Sequence, residues 1–171
     1  MVRGASCVGI LVLALFRGLA YAALFMGAFL VFVPGRILAR VGIQQVQGIG
    51  AAQVLGLIVV ALGLALAIAC VLTFAVIGRG TPAPFDPPRA LVVAGPYRFV
   101  RNPMYIGAGT TLLGAALFYR SVALAGYALV FLLITHLFVL LYEEPHLRGV
   151  FGEPYEDYLR TVHRWLPTWR S

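Results

Sequence analysis

Between positions 50 and 77 the chain carries one strong polar residue, Gln53, and three further stretches, 8–33, 104–119 and 122–142, are almost as apolar. A helix needs about 20 apolar residues to cross a bilayer, with a range of ~17–25. The runs 8–33, 50–77 and 122–142 meet that requirement outright. The run 104–119 is shorter, and Asn102-Pro103 and Tyr119 extend it into the two interfaces. Composition agrees: 61% of residues are apolar and 11% charged, against about 45–50% and about 25% in soluble proteins. A disordered chain needs the opposite balance. Cys7 and Cys70 stand alone in apolar surroundings, without the spacing of a disulfide framework or a metal site. The expectation is an all-α integral membrane protein, a single membrane domain over 1–171 with four transmembrane helices and a short amphipathic C-terminal helix.

The first run is interrupted by Arg17 and stops at Pro34-Gly35. Arg3 and the small residues around Ala20-Tyr21-Ala22 resemble a cleavable signal. The apolar run continues well past Ala22, however, and Arg17 fits poorly in such a segment, so a retained span is expected. Runs three and four are separated by Tyr119-Arg120-Ser121 alone, which predicts a tight helical hairpin. All 13 basic residues are Arg, and the net charge is +7. No basic helix or aromatic–basic pattern accompanies that charge, so no nucleic-acid partner is expected. Membrane orientation explains it instead. Four spans put Arg3, Arg79, Arg89, Arg98, Arg101, Arg148, Arg160, Arg164 and Arg170 on one side, and Arg36, Arg40 and Arg120 on the other. Both termini and the polar segments 78–103 and 143–171 are therefore expected in the cytoplasm. No internal repeat is present.

Chemistry has room only in those two segments. Prolines between Thr81 and Arg89 exclude a helix there, Gly95-Pro96 is turn chemistry, and Pro103 suits a first helical position. Arg98 and Arg101, three apart, share a face of any helical turn. They serve either to bind lipid phosphates from a stiffened linker or to hold an anion such as a carboxylate. Glu143 and Glu144 end the fourth run, where the helix dipole disfavours anions. Something cationic must compensate, either an Arg of the polar segments or a cationic ligand. His136, Leu140 and Glu143 fall on one helix face, with His136 about 10 Å below Glu143. His136 is either a neutral residue bonded to a neighbouring helix or a functional group at membrane depth; Arg17 poses the same choice. In the tail, Pro154 opens a helix carrying Tyr155, Tyr158, Leu159 and Val162 at helical spacing. Trp165 and Trp169 are candidate interface anchors beyond it.

Two of these stretches resemble known signatures. Gly95-Pro96-Tyr97 followed by Arg101-Asn102-Pro103-x-Tyr105-x-Gly107 resembles the first signature of the isoprenylcysteine carboxyl methyltransferase family. Glu143-Glu144-x-x-Leu147-x-x-x-Phe151-Gly152-x-x-Tyr155-x-x-Tyr158, ending in Arg164-Trp165-Leu166-Pro167, resembles its second. Phospholipid N-methyltransferases share the pattern. The resemblance covers roughly 78–167 and implies a membrane enzyme that binds S-adenosylmethionine on the cytoplasmic side. The cofactor-binding residues it implies are Gly95, Tyr97, Arg98, Arg101, Asn102, Pro103, Tyr105, Gly107, Glu143, Glu144, Leu147, Tyr155 and Tyr158. Asn102 stands where the family has His and cannot carry that charge, so Arg98 or Arg101 must supply it.

The residues suit such a cofactor on their own chemistry. Arg101 suits its carboxylate, Glu143 or Glu144 its ammonium or ribose, and Tyr97, Tyr105 and Tyr155 its adenine or sulfonium. Arg101, Glu143, Glu144 and His146 are the candidate catalytic groups. A carboxylate acceptor would need no base, whereas an amine, thiol or hydroxyl would need one, with His146 or a Glu at hand. A lipophilic or membrane-associated substrate is expected, alongside membrane lipids. Two rivals are a sterol-reductase-like NADPH enzyme and a non-enzymatic transporter subunit or assembly factor.

Overall fold

The computed structural model describes residues 16, 20, 23–43, 48–78 and 91–168. Every regular element among them is helical, with no strand. Helix α1 is Ala23–Arg40, α2 is Ala51–Thr73, α3 is Pro103–Phe118, α4 is Val122–Phe151 and α5 is Glu153–Thr161. A π turn, Phe74–Gly78, prolongs α2, and a 3-10 turn, Gly95–Arg98, precedes α3. Arg17, Arg79, Asp86, Arg89 and Trp169 lie outside the described residues.

Three helices, α1, α2 and α4, are long and apolar enough to cross a membrane. The third apolar run does form a helix, but α3 has 16 residues. That is about 24 Å of helix against a hydrocarbon core of about 30 Å. Among the described residues, three of the four expected spans therefore have crossing length, and α3, the run already short in the sequence, is an apolar helix below it.

Two helix ends differ from the expectation for the same reason. α1 does not stop at Pro34-Gly35, and α4 does not stop at Tyr142. In each case a π turn, Gly27–Phe32 or Val139–Glu143, is followed directly by a fresh α-helical segment with proline in its first turn. The π turn shifts the hydrogen-bond register. The proline then falls where a missing N–H costs little, so the helix continues to Arg40 or to Phe151.

The expected hairpin is present. Arg120 takes a positive φ of 49°, and the Ser121 hydroxyl caps α4 by accepting from the Leu124 N–H at 3.3 Å. α3 also packs antiparallel against α2, through glycine. A Cβ on Gly56 would lie 2.8 Å from the Gly114 carbonyl oxygen, and one on Gly63 would lie 2.7 Å from that of Gly107. A Cβ on Gly114 or Gly107 would meet the Gly56 or Gly63 carbonyl just as closely. Small residues that let backbones touch are the usual basis of helix association in lipid, where the hydrophobic effect gives no drive. On the other side of α3, Ala108 and Leu112 pack with Ala128 and Phe131 of α4, and Phe25 and Leu30 of α1 close over them. The outer faces keep large apolar residues exposed, among them Leu57, Ile58 and Leu62 of α2 and Leu129 and Leu133 of α4. The end of α2, the start of α3 and the end of the apolar part of α4 consequently share one end of the bundle.

Candidate active site

Glu144 is the electrostatic centre of that end. It is 7% exposed, beyond the π turn of α4. Arg101 Nη1 donates to Oε1 at 2.8 Å. Arg164 adds a two-pronged grip, Nε to Oε1 and Nη2 to Oε2, both at 2.8 Å. A cation is thus supplied twice, once from each of the polar segments, although Glu144 does not stand at a helix end as expected, since α4 continues to Phe151. Paired geometry of this kind is selective for arginine.

Glu143 is half-buried and faces elsewhere. Among the described residues it accepts one hydrogen bond, from Tyr105 Oη to Oε2 at 3.0 Å. The two acids are about 100° apart around the helix axis, and their partners sit on different elements. His136, placed on the Glu143 face by an ideal helical count, also diverges from it. Its Nδ1 accepts from the indole N–H of Trp165 at 3.0 Å, and the intervening π turn breaks the count. An indole N–H can only donate, so this bond requires an unprotonated Nδ1 on a neutral imidazole.

The tail is strapped across the segment that enters α3. The Arg101 N–H donates to the His163 carbonyl at 2.9 Å, and the Thr168 N–H donates to the Phe99 carbonyl at 2.7 Å. Asn102 is 6% exposed, and its Nδ2 donates to the Arg164 carbonyl at 3.2 Å. Tyr158 Oη donates to the Tyr97 carbonyl at 2.6 Å. The amphipathic α5 does not lay its apolar face on the membrane as expected. Tyr155, Tyr158 and Val162 are buried against Leu91, Leu147, Phe151 and Leu159 of the chain itself. Trp165, expected as an interface anchor, is instead bonded to His136. Burial, with the Glu144 carboxylate adding to it and Arg101 opposing, pushes the Tyr155 phenol up to about 12. Burial also raises Tyr158. Both are neutral phenols at physiological pH.

The residues implied by the resemblance divide accordingly. Arg101, Asn102, Tyr105, Glu143 and Glu144 come together as a polar group. Tyr97 packs with Cys70 and Val92, edge-on to Phe74; Leu147, Tyr155 and Tyr158 belong to the α5 cluster. These side chains are packed within the chain, Tyr97 and Tyr155 only 7% and 3% exposed. Gly95 has φ +55°, and a Cβ there would lie 2.6 Å from Thr73 Oγ1, so it closes the turn against α2. Gly107 belongs to the α2–α3 contact, and Pro103 starts α3, buried. Arg98 is exposed, its guanidinium 5.1 Å from the centre of the Phe99 ring. Arg101 was expected to grip a carboxylate with its whole guanidinium, but Nη1 is committed to Glu144. Arg164 was not among the expected site residues, although it opens the last stretch of the second signature. Among the described residues, no group of His, Cys, Asp and Glu has the makings of a metal site.

The fold and the site define a helical membrane protein with a polar centre at one end of its bundle, closed over by its own tail. The phospholipid methyltransferase family matches residues 51–154, from the start of α2 to the start of α5. The chain belongs to this family, one of the group of membrane methyltransferases that also includes the isoprenylcysteine carboxyl methyltransferases. The tail residues that clamp Glu144 and Asn102 lie beyond the matched stretch. No curated protein and no solved structure matches the chain.

Proposed function

We propose that the protein transfers a methyl group from S-adenosylmethionine to a lipophilic acceptor at the membrane surface. In this reading all four apolar helices are embedded, α3 incompletely, with both termini and the polar end of the bundle in the cytoplasm. The Arg asymmetry supports that orientation. The observation that carries the cofactor reading is the contrast between the two acids. Glu144 is saturated by guanidinium groups, while Glu143, with Tyr105 as its one hydrogen-bond partner among the described residues, keeps acceptor capacity apart from the ion pairs. Arg101 Nε, a buried N–H without a partner among the described residues, is a second unspent group beside them. A carboxylate acceptor and a cationic N–H donor fit the ammonium or ribose and the carboxylate of that cofactor.

Glu143 would hold the ammonium or ribose, and Arg101 Nε would donate to the carboxylate. When bound, the cofactor supplies a methyl group activated by its sulfonium. The residues contribute alignment, worth about 7–11 kcal/mol where reacting atoms are held in line, and a site screened from water by the docked tail. Calorimetry on the detergent-purified protein tests this reading with S-adenosylhomocysteine and NADPH as ligands. Binding of S-adenosylhomocysteine without NADPH is the expected result. NADPH binding alone would move the protein to the reductase reading, and binding of neither would remove the cofactor assignment.

A further inference from the structure

The arginines at the two ends of the bundle are treated differently. At the polar end, Arg101 and Arg164 hold Glu144, Arg148 pairs with Glu156 at 3.0 Å and Arg160 with Asp157 at 3.7 Å. Arg36, Arg40 and Arg120 are exposed and have no such partner among the described residues. These three belong to the opposite end. Leu38 of α1 packs with Ala116 of α3 and Leu124 of α4, and Ile37, Ile43 and Tyr119 close on the same cluster. The last turns of α1 and the α3–α4 link therefore meet there. The acids among the described residues all lie between 143 and 157, and about 30 Å of helix separates Val122 from Glu143. That is several Debye lengths, each about 8 Å at physiological salt, so those acids do not compensate the three guanidiniums.

The surroundings of the three are apolar. Val41 follows Arg40 and Val122 lies two residues beyond Arg120, and both are exposed, as is Ile49. α3 has 16 residues, below the ~20 that a crossing needs, so the link it leads into stands no higher than the headgroup boundary. Arg120 holds its place there at a positive φ of 49°. Glycine or asparagine would meet that turn at lower cost, so the turn itself does not account for an arginine.

We propose that this end of the bundle binds anionic phospholipid, with Arg120 on a headgroup phosphate at the link and Arg36 and Arg40, one turn apart on α1, on phosphates along the rim. The guanidinium fork matches phosphate oxygens and forms charge-assisted hydrogen bonds with them. Val41, Ile49 and Val122 meet the acyl chains just below. The lipid thus supplies the negative charge that the acids supply at the polar end. The inference does not involve the cofactor site and holds for either orientation of the protein in the membrane.

The test titrates the thermal midpoint of the protein, purified in a neutral detergent, with phosphatidylglycerol, phosphatidylcholine and inorganic phosphate. A ligand bound by the folded form alone raises the midpoint. Phosphatidylglycerol should do so at concentrations where the other two leave it unchanged. A triple variant, Arg36→Gln with Arg40→Gln and Arg120→Asn, should need at least about tenfold more phosphatidylglycerol for the same rise, the factor that one hydrogen bond to a charged group is worth. Arg160→Gln, at the polar end, should respond as the parent does. Asparagine tolerates the positive φ, so Arg120→Asn alone carries the test if the triple variant does not fold, and it should also need more phosphatidylglycerol than the parent. No rise with phosphatidylglycerol, or an equal rise with phosphatidylcholine, overturns the proposal. An equal rise with inorganic phosphate replaces the lipid by a free anion and overturns it too. A parental response from the triple variant or from Arg120→Asn, or an equal loss in Arg160→Gln, removes the assignment to these arginines.

Discussion

A carboxylate as deeply buried as that of Glu144 needs compensating charge, and two guanidiniums supply it while the side chain stays almost fully buried. Glu144→Gln leaves Arg101 and Arg164 facing a neutral amide. It should cost about 3 kcal/mol of stability, the low end of the range for removing one member of a buried pair, because the amide oxygen still accepts one bond. Glu143→Gln should behave in the opposite way, with thermal stability near the parent's. Its affinity for S-adenosylhomocysteine should fall by about 1.5–3 kcal/mol, the range for a hydrogen bond to a charged group. Thermal unfolding and calorimetry on the two variants check both statements. If Glu144→Gln alone weakens ligand binding at unchanged stability, the two acids have the reverse roles. The need for a cation beside these acids was legible in the sequence, because two carboxylates closing an apolar run are costly unless paired; the helix-end part of that argument fell away, since α4 continues to Phe151. Which acid took which partner was not. Arg164 reaches Glu144 only because α5 folds back against Leu91 and Leu147, a tertiary event. Asn102 is the companion case: its side chain amide holds the Arg164 carbonyl, a bond that the Asn102-for-His departure did not foretell.

The pairing of α2 with α3 depends on what glycine lacks. Gly63→Val places a branched side chain where even a Cβ would lie 2.5 Å from Thr111 Oγ1 and 2.7 Å from the Gly107 carbonyl oxygen. Backbone cannot step aside as a flexible side chain would. The variant should lose about 1–3 kcal/mol or more, read as a lower thermal midpoint in detergent. An unchanged midpoint would mean that the two helices do not meet along this line. Glycines seven apart on each helix were visible in the sequence, but a reading by hydropathy counts glycine as filler within an apolar run. The π turns left no trace at all, since residues 139–143 are as apolar as ordinary helix up to Glu143. The apolar face of α5 was legible as a face. Its destination was not, because Tyr155, Tyr158 and Val162 suit a membrane interface as well as they suit Leu147 and Phe151.

For the molecule as a whole, orientation is the property most open to a direct check. With Arg concentrated around the polar end, a reporter joined after Ser171 should be active in its cytoplasmic form and silent in its external form. The reverse would invert the whole assignment, because α2, α3 and α4 share that end. Of the four spans read from hydropathy, three have crossing length among the described residues, and the fourth, α3, is the run that was already short in the sequence. α3 is also the helix enclosed by α1, α2 and α4, so its short ends meet protein on several sides. The strap formed by residues 163–168 has a consequence for how the molecule is made. Those residues leave the ribosome after every helix they fasten. Until they emerge, Glu144 has only Arg101, the Asn102 amide and the His136 imidazole are without their mates, and the bundle is inserted but unlatched. Translation order thus makes assembly of the polar end a late event, and a nascent chain halted after Phe151 carries its helices without the clasp that joins them.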